Sequence, residues 1–167
     1  MLDQLTYNYA KDGSGKLLNN QLQYVQDAVS TPALEDVENQ NAGNYSYDAI
    51  GNLTADVQSN ISSISWSPYG KPLQISKTNS STVKFGYDAS GNRVSKEQGN
   101  RTTYFVRDTS GNTMATYVKE PVDNATPELR LTEQPIYGST KIGQRQVSLP
   151  LGAGPLALLQ NLLGNHF

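Results

Sequence analysis

The chain has no cysteine, one histidine and one tryptophan, and charged residues make up only 17% of its 167 positions, against roughly 25% in an ordinary soluble domain. Without cysteine there is no disulfide, no thiolate nucleophile and no cysteine-based zinc site, and nothing follows about redox compartment. The 13 basic and 15 acidic residues give a net charge of −2 with no Lys/Arg cluster. The electrostatic footprint of a nucleic-acid binder is therefore missing, and nucleic acid is not an expected partner. His166 stands alone next to the C-terminus, and no G-x-S-x-G motif or second candidate base accompanies it. No acid, base and nucleophile are set together, so neither enzyme activity nor a cofactor is expected. Met1 to Tyr7 lacks a basic region followed by an apolar core, so no signal peptide is read on this chain. The most apolar stretch, Val147 to Leu163, is broken by Pro150, Gly152, Gly154 and Pro155, and is too short and interrupted to span a bilayer.

Hydrophobic residues are also scarce, at 36%, and Asn, Ser, Thr and Gln take the missing share, a composition suited to turns and exposed strands. These polar residues are ordered into a repeat. Asp12 to Gly15, Asp48 to Gly51, Asp88 to Gly91 and Asp108 to Gly111 share the form Asp-x-x-Gly, and Ser67-Pro68-Tyr69-Gly70 is a degenerate fifth copy. The turns recur about every 20 residues, with one eroded copy between Lys16 and Asn44. Lys or Asn follows each glycine, at Lys16, Asn52, Lys71, Asn92 and Asn112. Aromatics lead into the turns, including Tyr45, Tyr47, Trp66, Phe85, Tyr87 and Phe105.

One copy shows the physics. Val83, Phe85 and Tyr87 alternate with Lys84, Gly86 and Asp88, the period of two of a half-buried strand. Asp88 opens a type I turn and Gly91 supplies the positive φ that closes a hairpin loop, so Gly91→Ala should cost on the order of 1 kcal/mol. The chain returns through Arg93 to Lys96 and turns again at Gly99-Asn100. Two strands and two turns per repeat predict an all-β fold, a curved antiparallel meander of eight to ten strands. Ser30 to Gly43 and Glu120 to Pro135 read as exposed loops. Leu129 to Gly143 reads as a final strand pair, and Tyr137 and Gly138 are counted with the repeat motif. Residues 146–167 form an apolar tail, in which Pro155 to Leu163 has the pattern of a short C-terminal helix.

The segments Tyr45-Ser46-Tyr47-Asp48-Ala49-Ile50-Gly51-Asn52 and Phe85-Gly86-Tyr87-Asp88-Ala89-Ser90-Gly91-Asn92 resemble the tyrosine-aspartate (YD) repeat of Rhs proteins, which is shared with teneurins and with Tc-toxin B and C components. The resemblance covers residues 1–145, and Tyr137-Gly138-Ser139-Thr140-Lys141-Ile142-Gly143 is similar to the end of the repeat region in YD proteins of Bacteroidota type. It implies a non-catalytic, secreted or cell-surface structural role: a segment of a β-shell that encloses or presents a C-terminal toxin. The implied partners are the remainder of a larger parent or its toxin cargo. Tyr47 and Tyr87 would be ladder tyrosines, Asp48, Asp88 and Asp108 turn acids, and Gly51, Gly70, Gly91 and Gly111 turn glycines. Lys11 and Arg107 replace the motif tyrosine, and those copies are expected to keep the turn but lose a rung of the ladder. The chain opens inside a repeat and stops about where the family's core would begin, so it reads as a piece of a larger protein.

The recurring aspartates invite a metal reading, but one carboxylate per turn lacks the dense oxygen cluster of a calcium site. Turn capping is the favoured role, and no metal is expected. The Tyr-rich face offers sugar-stacking surface, which makes a carbohydrate-binding or adhesion module, with glycans as partners, the alternative function. Open sheet edges predict self-association.

Overall fold

The computed structural model describes residues 4–29, 39–121 and 126–150. Twelve strands run through them: β1 (Leu5–Lys11), β2 (Leu17–Asp27), β3 (Tyr45–Tyr47), β4 (Leu53–Asp56), β5 (Ile61–Trp66), β6 (Pro72–Lys77), β7 (Ser80–Tyr87), β8 (Arg93–Gln98), β9 (Arg101–Arg107), β10 (Thr113–Glu120), β11 (Glu128–Tyr137) and β12 (Lys141–Pro150). No helix occurs among the described residues, and none there is long and apolar enough to cross a membrane. The helix expected at Pro155 to Leu163 lies outside the described residues. β1 and β2 form a two-stranded sheet, and β3 to β12 form an antiparallel meander in strict chain order. The all-β reading holds, and the ten strands of the meander fall within the eight to ten expected, with β1 and β2 as a separate pair.

One expectation about a loop is corrected. Glu120 to Pro135 is mostly strand: β10 reaches Glu120, and β11 starts at Glu128 and pairs with it. Pro135, read as the last residue of that loop, sits inside β11 opposite Gln144. β12 also continues past residue 145, with Leu149 opposite Leu131 and Pro150 opposite Arg130. At the end of the stretch Ser30 to Gly43, Gln40 lies along β2. Its N–H donates to the Val25 carbonyl and its Oε1 accepts the Val25 N–H, while Asn39 Oδ1 accepts the Asp27 N–H. Amide side chains there do the work of a strand backbone, which an Asn/Gln-rich sequence conceals.

The chain divides into two compact units, Met1–Ser81 and Thr82–Phe167. In the first, Val25 is the only hydrophobic side chain that is buried among the described residues; in the second, Ala115 and Val118 are. Among the described residues no large side chain is fully buried. Cross-strand rows do the packing instead. The register sets Phe85, Lys96, Thr103, Val118 and Arg130 side by side on one face, and Gly86, Ser95, Tyr104, Tyr117 and Leu131 on the other. With so little apolar burial, each unit depends on its hydrogen bonds more than a thick-cored domain does.

Candidate functional site

Five turns at corresponding ends of the hairpins share one backbone geometry. The N–H of the first residue donates to the carbonyl of the fifth: Asp12 to Lys16, Asp48 to Asn52, Ser67 to Lys71, Asp88 to Asn92 and Asp108 to Asn112, at 2.8–3.0 Å. The glycine N–H donates back to the first residue's carbonyl, and Gly15, Gly51, Gly70, Gly91 and Gly111 all have φ between 69° and 92°. This is a type I turn followed by a left-handed residue, the conformation glycine adopts without steric cost.

The acid completes the turn. Asp88 Oδ1 accepts the N–H groups of Ser90 and Asn92, and its Oδ2 accepts the Asn92 side-chain amide. Asp108 makes the same three bonds with Ser110 and Asn112, and Asp48 makes them with Ile50 and Asn52. At Asp12 one oxygen accepts from Ser14 N–H, Ser14 Oγ and Lys16 N–H. These bonds favour the carboxylate. The carboxyl of Asp12 is held below its ordinary value chiefly by Ser14, that of Asp88 by the Asn92 N–H and that of Asp108 by the Asn112 amide. At Asp48 partial desolvation pushes upward and is outweighed by Asn52, Ile50 and Gly51, so its carboxyl is lowered as well.

A second device was not legible in the sequence. Directly beyond four of the five turns, and beyond the turn that follows Tyr137, the register slips by one residue, whereas beside the Asp12–Lys16 turn β2 advances five residues from Leu17 to Leu22 against two on β1. Tyr47 pairs with Leu53 while Ser46 pairs with Ala55, and Trp66, Tyr87, Arg107 and Tyr137 show the same slip against Pro72, Arg93, Thr113 and Lys141. The bulged residues are Thr54, Leu73, Val94, Met114 and Ile142. Their chemistry has nothing in common, so no motif marked them. Leu73, Met114 and Ile142 are exposed.

The residue before the turn then reaches the bulge of the preceding hairpin. Trp66 Nε1 donates to the Leu53 carbonyl at 2.7 Å, Arg107 Nε to the Arg93 carbonyl at 3.0 Å, and Tyr137 Oη to the Thr113 carbonyl at 2.9 Å. Three unlike side chains make one bond to one equivalent position. Arg107 therefore does not lose the rung as expected: its guanidinium replaces the phenol, adds a bond to the Gly111 carbonyl at 2.7 Å and lies 5.9 Å from the Phe105 ring centroid. Tyr47 Oη donates to the Leu22 carbonyl on β2. Burial, then the neighbouring Tyr45 and Tyr9, push the Tyr47 phenol above its ordinary value. Tyr45 Oη accepts from Gln40 Nε2, and Arg93 stacks 4.3 Å over Phe85. Tyr87 holds the corresponding place before Asp88.

Gly138 sits in a turn of another kind. Its N–H donates to the Thr140 carbonyl in a shorter turn, its φ is not positive, and an added Cβ would meet only Ile142 Cγ2 at 3.6 Å. Between this turn and Asp108–Asn112 lies an open concavity of about 660 Å³, floored by Met114 and Tyr137 and rimmed by Ser139, Thr140 and Lys141. The Asp108 oxygens beside it are engaged in their own turn. No group of three or more His, Asp or Glu side chains able to hold a metal lies among the described residues. The arrangement braces one hairpin against the next. No protein-family model matches the chain, and no curated protein matches it.

Proposed function

We propose that the chain is a non-catalytic structural segment of an Rhs/YD-type protein, secreted or exposed at the cell surface, whose hairpins extend a β-shell around a C-terminal toxin or effector. The observation that carries this reading is the rung from Trp66, Arg107 and Tyr137 to the bulge carbonyl of the preceding hairpin. Such a bond fixes each hairpin to its predecessor without a thick core, which suits a thin wall assembled one repeat at a time. Use of the motif tyrosines for glycan stacking is the weaker reading, because the hydroxyls of Tyr47 and Tyr137 are already committed to backbone carbonyls. The test is limited proteolysis of the chain coexpressed with the polypeptide encoded downstream. Cofractionation of the two, with protease protection of the cargo, is expected. A glycan-array signal that vanishes on Tyr47→Ala or Tyr87→Ala, with no cofractionating cargo, would overturn the shell in favour of a binding module.

A further inference from the structure

β12 stands last in the strand order, and its outer side carries an incomplete rung. Pro135 has no N–H, so its pair with Gln144 is a non-hydrogen-bonded one and the Gln144 N–H and C=O face away from β11. Lys141 occupies the place held by Leu53, Arg93 and Thr113 in earlier hairpins: it faces the pre-turn residue and is followed by the bulged residue. In those hairpins the carbonyl at this place accepts a side chain from the next strand. Among the described residues nothing donates to that of Lys141.

β1 is the complementary end. It pairs only with β2 among the described residues. Tyr7 lies opposite Val25, whose own N–H and C=O are given to Gln40 on the far side, so the Tyr7 backbone groups also face outward. Lys11 holds the pre-turn position of Trp66, Arg107 and Tyr137, is exposed, and makes no side-chain hydrogen bond among the described residues. β1 also runs toward its turn in the sense of every strand that follows a return strand in the meander, so its addition to β12 is antiparallel and continues the up-and-down order.

We infer that the outer edge of β12 is an interaction surface for β1 of a second copy of this chain, with the Lys11 ammonium donating to the Lys141 carbonyl. The contact is head-to-tail, so it propagates rather than closing as a two-fold dimer. The junction brings Lys11 toward Lys141 and Arg145, with Glu133, 3.6 Å from Lys141, as the near acid. Like charges oppose the contact, so added salt strengthens it. The inference rests on the rung geometry and not on toxin enclosure, and loss of cargo protection would leave it standing.

Sedimentation velocity of the full chain up to about 100 µM tests it, a range that detects weak association. Wild type is expected to form species that grow with concentration and with salt. Gln144→Pro and Tyr7→Pro each remove one outward N–H and should weaken association roughly tenfold with the circular dichroism unchanged. An equimolar mixture of these two variants should form a one-to-one dimer and nothing larger, because each keeps one intact edge. Lys11→Tyr supplies the rung donor found at Tyr137 and should tighten association several-fold, which carries the test if a proline variant fails to fold. Monomeric behaviour of both wild type and Lys11→Tyr overturns the inference. So does a mixture that stays monomeric, or association that Gln144→Pro abolishes while Tyr7→Pro leaves it intact, which would mean β12 pairing with β12.

Discussion

The Ser67–Lys71 turn and the Asp88–Asn92 turn follow the same backbone path with unequal support. Ser67 offers one bond, from the Lys71 N–H to its hydroxyl at 3.1 Å, whereas Asp88 accepts three. Both keep the bond between first and fifth residues and a left-handed glycine. The glycine and the two backbone bonds are thus sufficient for the shape, and the acid reinforces a turn that already exists. The rung is independent of either: Trp66 precedes the weakly supported turn and still makes a 2.7 Å bond.

The glycines should give the largest effects. Gly111→Ala combines a strained φ of 85° with a Cβ placed 3.1 Å from Asn92 Oδ1 of the neighbouring turn, and should cost about 2 kcal/mol in denaturant melts. Gly70→Ala, at φ 69° with open space around it, should cost about 1 kcal/mol. Gly86→Ala meets the Ser95 hydroxyl, which can rotate away, and should cost less than either. Equal losses at Gly70 and Gly111 would show that neighbouring turns do not touch.

Next in size is the rung. Tyr137→Phe and Trp66→Phe each leave a bulge carbonyl without its donor and should each cost about 1 kcal/mol. A loss at Trp66 much below that at Tyr137 would tie rung strength to the turn acid and break the comparison. Smaller again is a graft: Ser67→Asp with Lys71→Asn installs the full set of bonds and should stabilise the first unit by under about 1 kcal/mol.

The smallest effect is a pH response confined to the acid turns. A carboxyl lowered in the folded chain contributes stability that is present above its unfolded value, here 3.8, and is lost as pH falls through the lower folded value. Amide protection at Ser90, Asn92, Ser110 and Asn112 should therefore fall below pH 3.8, while that at Lys71 stays constant. Hydrogen exchange followed by NMR would separate the two kinds of turn.

The turns were legible because their chemistry is local: Asp bonds to backbone within four residues, and Gly is needed at one φ. The strand alternation around Phe85 was legible for the same reason. The bulges were not, since Thr54, Leu73, Val94, Met114 and Ile142 are selected by register and not by side-chain type. The rung at Arg107 was misjudged because a motif written as tyrosine hides its requirement, a donor on an arm of sufficient length, which guanidinium and indole also meet. Gln40 was misjudged in the opposite way. Its polarity suggested solvent, whereas its side-chain Oε1 accepts the Val25 N–H and its backbone N–H donates to the Val25 carbonyl across the β2 edge.

Trp66 is the only tryptophan in the chain, and its indole N–H is the donor of a single bond between successive hairpins. Its emission is therefore a site-specific optical gauge of the joint between β4 and β5. A red shift that precedes the loss of far-ultraviolet ellipticity would register hairpins parting while their strands are still formed, separating failure of a joint from melting of a strand without any added label.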